Sequence, residues 1–274
     1  MDNIIIKNNP DQVDVIELRN VSQYYKNSSK PVIDNLSLLI EDEPNHGQFI
    51  SILGPSGCGK STLLRYICGL QHPSSGEVLM NEKPLAPSDR AGMVFQQYNS
   101  LPWLTVYENI EFGLKLKGEP QKNRKEKVMA MIQLMGLEGH ENKYARYPVL
   151  SGGQLQRVAI ARSLVANPRI LMMDEPFGAL DISTRSAMQD LLLSLWETLH
   201  PTIVLITHDI AEAVYVSDYV YVMSTNPGKI VEQYKIDLGP RRKETKRSLK
   251  FNEFVYKIED KMEELKLIAK NKNS

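Results

Sequence analysis

The alternation of apolar and polar positions begins near residue 13. "VDVIELRNV" (13–21) and "PVIDNLSLLI" (31–40) alternate with a period of two and predict a pair of antiparallel strands. "EDEPNHG" (41–47) reads as a turn. "QFISILG" (48–54) is a short apolar run with glycine directly after it, the pattern of a buried strand feeding a loop. The pattern then becomes helical over "KSTLLRYICGL" (60–70), with Gly69 as its C-cap. "GEVLM" and "AGMVFQQ" predict further strands. From about 98 to 168 helical periodicity dominates, in "TVYENIEFGLKLKG", in "RKEKVMAMIQLMGL" and in the stretch that follows residue 154. Strand signals return as "RILMMDE" (169–175), "TIVLITH" (202–208) and "DYVYVMST" (218–225), and "DISTRSAMQDLLLSLWETL" between them reads as a helix. Strands that alternate with helices predict an α/β chain with a mostly parallel sheet, interrupted by a helical insert at 98–168. There is no internal repeat.

The tail has its own character. "RRKETKR" (241–247) is a basic connector, read as solvated. The helix after it puts Phe251, Phe254, Val255, Ile258, Met262, Leu265 and Ile268 on one face. A docked amphipathic helix explains that face; a membrane-surface or regulatory role is the alternative. The expected division is a main domain over 13–240 and a C-terminal segment over 241–274.

Composition adds exclusions. Lys+Arg and Asp+Glu balance at 33 each, which argues against nucleic acid as a partner held by overall charge. No apolar run approaches the ~20 residues that cross a bilayer as a helix. "MDNIIIKNNP" lacks the basic start and long apolar core of a signal peptide. Cys58 and Cys68 give neither a disulfide framework nor a metal-ligand spacing. These features fit the cytosol.

The chemistry concentrates in two glycine-rich loops. "GPSGCGKST" (54–62) satisfies the pattern G-x-x-x-x-G-K-[ST] in the right context, after a strand and before a helix. Gly54, Pro55, Ser56, Gly57, Cys58 and Gly59 would turn backbone N–H groups toward phosphate oxygens. Lys60 would reach the β- and γ-phosphates, and Ser61, followed by Thr62, would ligate Mg²⁺. The bland alternative is a flexible loop with a stray lysine. Cys58 has a simple reading as a small neutral filler. A thiol beside a helix N-terminus can also have a lowered pKa, and thiol reagents would then inactivate the protein while MgATP protects it. "RILMMDEP" delivers Asp174 and Glu175 to the C-terminal edge of a buried strand, where such sheets bind ligands. Asp174 fits a Mg²⁺ role, and Glu175 fits a base that polarises the attacking water.

The second loop is "LSGGQ" (150–154), at the start of a helix. "GPSGCGKST", "VFQQ", "LSGGQ", "ILMMDEP", "GALD" and "TH" stand in that order. Together they resemble the nucleotide-binding subunit of ATP-binding cassette (ABC) transporters over roughly residues 13 to 235. The resemblance implies a P-loop NTPase (RecA-like) core with a mostly parallel sheet, an antiparallel β subdomain and a helical subdomain. It also implies why there are two loops: cassettes pack head to tail, and each ATP lies between the P-loop of one copy and the LSGGQ of the other. Ser151 and the N–H groups of Gly152 and Gly153, with Gln154 beside them, would then serve the γ-phosphate on a second copy of the chain.

Other roles carry over by the same resemblance. Tyr25 matches the aromatic that stacks on adenine, with Tyr24 as the neighbouring alternative and simple core packing as the bland one. Gln96 matches the residue near Mg²⁺ and the attacking water, with Gln97 adjacent. Asp181 matches the loop that crosses the dimer interface. His208 matches the switch histidine on the γ-phosphate. The resemblance further implies a peripheral subunit on the cytoplasmic face of the cell membrane. Its integral membrane permease subunits would dock at 98–113, where Leu101, Trp103 and Leu104 offer an apolar wall. An extracytoplasmic solute-binding protein would complete the complex. "LPWLTVYENI" and "STNPGKIVEQYKIDLGPRR" are similar to the importers of nitrate, sulfonate, taurine and bicarbonate. The alternatives are an ABC ATPase of an exporter or extractor, and a soluble ABC protein without a transport role.

Overall fold

The computed structural model describes residues 14–25, 30–41, 47–86, 91–97 and 99–271. Val13, Tyr98, the N-terminal stretch read for a signal peptide and most of the turn expected at 41–47 lie outside them. The elements begin with β1 (Asp14–Gln23), β2 (Ile33–Glu41), β3 (Phe49–Leu53), α1 (Lys60–Ile67), β4 (Ser75–Met80) and β5 (Lys83–Pro84). They continue with β6 (Gly92–Val94), α2 (Val106–Lys117), α3 (Gln121–Leu134), α4 (Gly152–Leu164), β7 (Ile170–Asp174) and α5 (Ile182–Leu199). Last come β8 (Thr202–Ile206), α6 (Ile210–Val216), β9 (Tyr219–Met223), β10 (Ile230–Lys235) and α7 (Leu249–Asn271). They form two compact units, one of Met1–Ala91 with Thr202–Ser274 and one of Gly92–Pro201.

In the first unit two kinds of strand are told apart by the direction in which they pair. β3, β8 and β9 are buried along their whole length. Runs such as "FISIL" and "TIVLI" have no polar face because both faces of a parallel sheet are covered. β8 and β9 flank β3 in parallel, with Ile52 opposite Ile206 and Ile50 opposite Tyr219. β10 pairs antiparallel with β9. β1 pairs antiparallel with β2, as its alternation predicts, and on its other side with β4, in a four-stranded sheet ordered β2-β1-β4-β5.

α1 enters through Gly59 at φ 103, where a Cβ would lie 2.7 Å from Ile33 Cγ1, so only glycine fits. It stops at Gly69, whose N–H donates to the Tyr66 carbonyl at 2.9 Å, one residue beyond the C-cap Cys68.

The connector after β10 is exposed at Arg242, Lys243, Glu244 and Arg247, as its composition predicts, but two of its cations have partners in the fold. Arg241 is half-buried, and its guanidinium donates to Asp218 Oδ1 and to the Ser217 carbonyl, each at 2.7 Å. Lys246 lies 3.9 Å from the centre of the Tyr215 ring. α7 buries Phe251, Ile258, Met262 and Leu265 of the predicted face and leaves Ile268 exposed.

In the second unit β6 and β7 run parallel, with Val94 opposite Met173. The helices α2 and α4 pack together. α2 starts on a capping box, in which Thr105 Oγ1 accepts from Glu108 N–H and Glu108 Oε2 accepts from Thr105 N–H. Gly113 permits the close α2–α4 approach, because a Cβ there would strike the Arg162 carbonyl oxygen and lie 3.0 Å from Val165 Cγ1. Gly113→Ala is therefore expected to lose ~1–3 kcal/mol of stability by overpacking. Urea denaturation measures this, and an unchanged midpoint would refute the packing argument.

Candidate functional site

The P-loop follows β3 without a break. Gly54 and Cys58 are buried while Ser56, Gly57 and Ser61 face solvent. A helix leaves its first N–H groups without intrahelical partners, and α1 has no side-chain cap. The Lys60 ammonium is tied inward, donating to the Gly54 carbonyl at 2.6 Å and the Pro55 carbonyl at 3.1 Å. Backbone donors, a helix N-terminus and a buried cation on one short loop make a cradle that suits a polyphosphate.

Register brings one more residue to this edge, and a hydrogen bond places another beside it. Ile52 lies opposite Ile206, so Gly54 and His208 each stand two residues past a paired position. His208 is exposed there. Tyr25, just past β1, is 41% exposed, and its hydroxyl lies 3.1 Å from Thr62 Oγ1. Burial pushes the Tyr25 phenol up, but bonds to Thr62 and Gln71 and the charge of Arg65 outweigh this and lower it. An aromatic ring beside the P-loop helix, rather than inside the core, has a face to offer a base. Tyr24 is exposed too.

Cys58 follows its reading as a small neutral filler and not the reactive-thiol alternative. Its side chain is buried, and that burial pushes the thiol up despite the nearby Lys60 charge. The sulfur fills space under Gly54, where an added Cβ would lie 2.7 Å from it.

The second unit holds the remaining residues. Val94 lies opposite Met173, so Gln96 and Glu175 again stand two residues past a pair. Gln96 Nε2 donates to Glu175 Oε2 at 3.2 Å. Glu175 has φ 44, in the left-handed region that costs a residue with a Cβ. The Gly178 N–H donates to its carbonyl at 3.1 Å. Asp174, the last residue of β7, is half-buried beside it. Strand ends that stop in register thus gather an amide and two carboxylates at one edge.

Ser151 is the exposed N-cap of α4. Its Oγ accepts from Gln154 N–H at 3.3 Å, and its own N–H donates to Gln154 Oε1 at 2.9 Å. Gly152 is half-buried and Gly153 buried. Gly153 has a packing reason of its own: a Cβ would lie 2.7 Å from Thr184 Cγ2 of α5. Gln154 does not point outward; its side chain is engaged by Ser151 and by His140. Asp181 caps α5, and hydrogen bonds from Ser183 and Thr184 hold its carboxyl well below the usual range.

Sequence reasoning missed Asn109. It is fully buried, accepts from Leu101 N–H at 2.8 Å and donates to the Leu101, Leu104 and Thr105 carbonyls at 2.9–3.2 Å. It folds the 101–105 loop around itself, leaving Leu101 and Leu104 half-buried and Trp103 67% exposed. The legible signal was the Thr105–Glu108 capping box, which fixes where the helix starts and so where Asn109 points.

The family profile described as "ABC transporter" matches residues 34–178. The chain belongs to the ABC transporter family. Three relatives resemble this cassette over most of both lengths. An uncharacterized ABC transporter ATP-binding protein of Methanocaldococcus jannaschii is 44% identical, covering 89% of each chain. A taurine import ATP-binding protein of Pseudomonas fluorescens is 42% identical, covering 83% of this chain and 84% of its own. An aliphatic sulfonates import ATP-binding protein of Bacillus cereus is 41% identical, covering 89% and 94%.

Among solved structures, a component of an ABC transporter complex from Clostridium perfringens superposes with a TM-score of 0.72 at 29% identity, over 81% of this chain and 89% of that one. A dimeric ATP-binding cassette in a post-hydrolysis state, bound to ADP and Pi, superposes with a TM-score of 0.69 at 34% identity, over 81% and 99%. The cassette is thus an ATP-binding ATPase with the P-loop NTPase fold. Among its described residues no helix is long and apolar enough to cross a membrane.

A buried, protonated thiol is a poor nucleophile. Iodoacetamide at neutral pH is accordingly expected to leave Cys58 unmodified in the folded cassette and to label it after unfolding, as read by mass spectrometry. Rapid labelling of the folded protein would contradict this.

Proposed function

We propose that this cassette is the ATP-hydrolysing subunit of an importer for a small sulfonate-type solute. The observation that carries the reading is its 41–42% identity, along most of both chains, to ATP-binding proteins named for taurine and aliphatic sulfonate import. Two copies of the chain would act with integral membrane permease subunits and an extracytoplasmic solute-binding protein, as a peripheral assembly on the cytoplasmic face of the membrane.

The triphosphate of ATP is held by the N–H groups of 54–62 and by Lys60, and Tyr25 stacks on the adenine. Ser61, Gln96 and Asp174 offer oxygen atoms, the hard donors that Mg²⁺ takes; they would hold it, and once bound it would neutralise charge on the phosphates. Glu175 accepts the proton of the attacking water, and Gln96 keeps that carboxylate oriented through the bond to its Oε2. His208 donates to the γ-phosphate. Ser151 and the N–H groups of Gly152 and Gly153 serve the nucleotide of a second copy, with Asp181 at that interface. The γ-phosphate favours the closed pair, and hydrolysis removes that preference. Trp103, turned outward by the Asn109 loop, supports docking of a permease helix at 98–113.

Glu175→Gln keeps the bond partner of Gln96 but loses the base. The variant is expected to bind ATP, to turn over ~10²–10⁴-fold more slowly and to elute as a dimer with ATP in gel filtration. Near-normal turnover would remove Glu175 from the role. Trp103→Ser is expected to keep ATPase activity in solution but to lose co-purification with a co-expressed permease. Equal recovery with the permease would remove the docking assignment.

A further inference from the structure

His140 lies in the loop between α3 and α4. Its Nε2 is 3.0 Å from Gln154 Nε2, and its Nδ1 is 2.7 Å from Lys143 Nζ. The two contacts demand different things of the ring. Gln154 Oε1 accepts from Ser151 N–H at 2.9 Å, which fixes the amide orientation, because turning it over would set an NH₂ against an N–H. Gln154 therefore offers only a donor to His140 Nε2, and that nitrogen must carry the lone pair.

Lys143 is also a donor only, and it asks the same of Nδ1. A neutral imidazole has one lone pair in its ring plane to give, so the two partners compete for it. Gln154 is part-buried and held by the capping box, whereas Lys143 is exposed and can turn to water.

We propose that His140 is a positioning residue for the LSGGQ loop. As the Nδ1–H tautomer it accepts from Gln154 and holds the amide whose oxygen caps Ser151 N–H. The Ser151 hydroxyl, which accepts from Gln154 N–H, then keeps its own proton for an outward acceptor. Lys143 is the partner that yields. The tautomer assignment stands on geometry alone, while its effect on turnover rests on the reading that Ser151 serves a bound phosphate.

The test uses the full chain labelled with ¹⁵N-histidine, the His140 signals being identified by their loss in His140→Gln. A two-bond ¹H–¹⁵N correlation spectrum is expected to show Nδ1 protonated and Nε2 bare, both in the wild type and in Lys143→Met. A spectrum with Nε2 protonated overturns the proposal, whatever the protein transports. In ATPase assays His140→Phe is expected to lower kcat on the order of tenfold with KM for ATP unchanged, since the P-loop is untouched. His140→Gln, whose side-chain oxygen also accepts from Gln154, restores turnover to within about twofold of the wild type. Lys143→Met leaves kcat unchanged. Equal kcat in His140→Phe and wild type, or an equal loss in the Phe and Gln variants, sinks the positioning role. If the wild-type spectrum is as expected but Ser151→Ala leaves ATPase activity intact, the fault lies with the phosphate role of Ser151 instead.

Discussion

Parallel strands that end in register are the constraint on which the rest of this cassette depends. Each pair aims its chain ends at one edge, and residues two positions past a paired site become neighbours without any loop having to reach. Ile52 opposite Ile206 sends the P-loop and His208 off the same side of one sheet. Val94 opposite Met173 does the same for Gln96 and Glu175. The strands can do this because side chains pack against both faces, and a slip by one residue would carry every side chain across the sheet and break that packing. Precision at the edge is thus inherited from burial in the middle.

In each unit, what stands at the strand ends is backbone as much as side chain. The phosphate cradle consists of N–H groups, a helix N-terminus and one ammonium folded onto carbonyls. Glu175 stands at a positive φ, with its carbonyl accepting from Gly178 N–H. The LSGGQ loop has a similar economy: Ser151 and Gln154 cap each other, and Gly153 lets α4 approach α5. Gly153 therefore answers a demand of helix packing besides the anion access proposed for the loop. The two cannot be separated by substituting Gly153 alone.

Much of this was legible in the chain. Wholly apolar strands, alternating strands and the G-x-x-x-x-G-K-[ST] spacing each follow from short-range physics, and the structure places them as read. Less legible was whatever depended on residues distant in sequence. Cys58 reads as a thiol at a helix N-terminus, yet burial beneath Gly54 decides its protonation. "RRKETKR" reads as solvated, yet Asp218 and Tyr215 take up Arg241 and Lys246. For Asn109 the Thr105–Glu108 capping box marks only where its helix starts; its importance lies in four backbone groups of a loop that folds back over it.

Local pattern determined the elements, the two glycine loops and the strand-end carboxylates, because backbone sterics and hydrophobic period act within a few residues. Tertiary structure alone decided which donors face which acceptors, which cations are buried and how His140 meets Gln154. Hydrogen bonds and desolvation act over a few ångströms in space, and only the folded chain sets those distances.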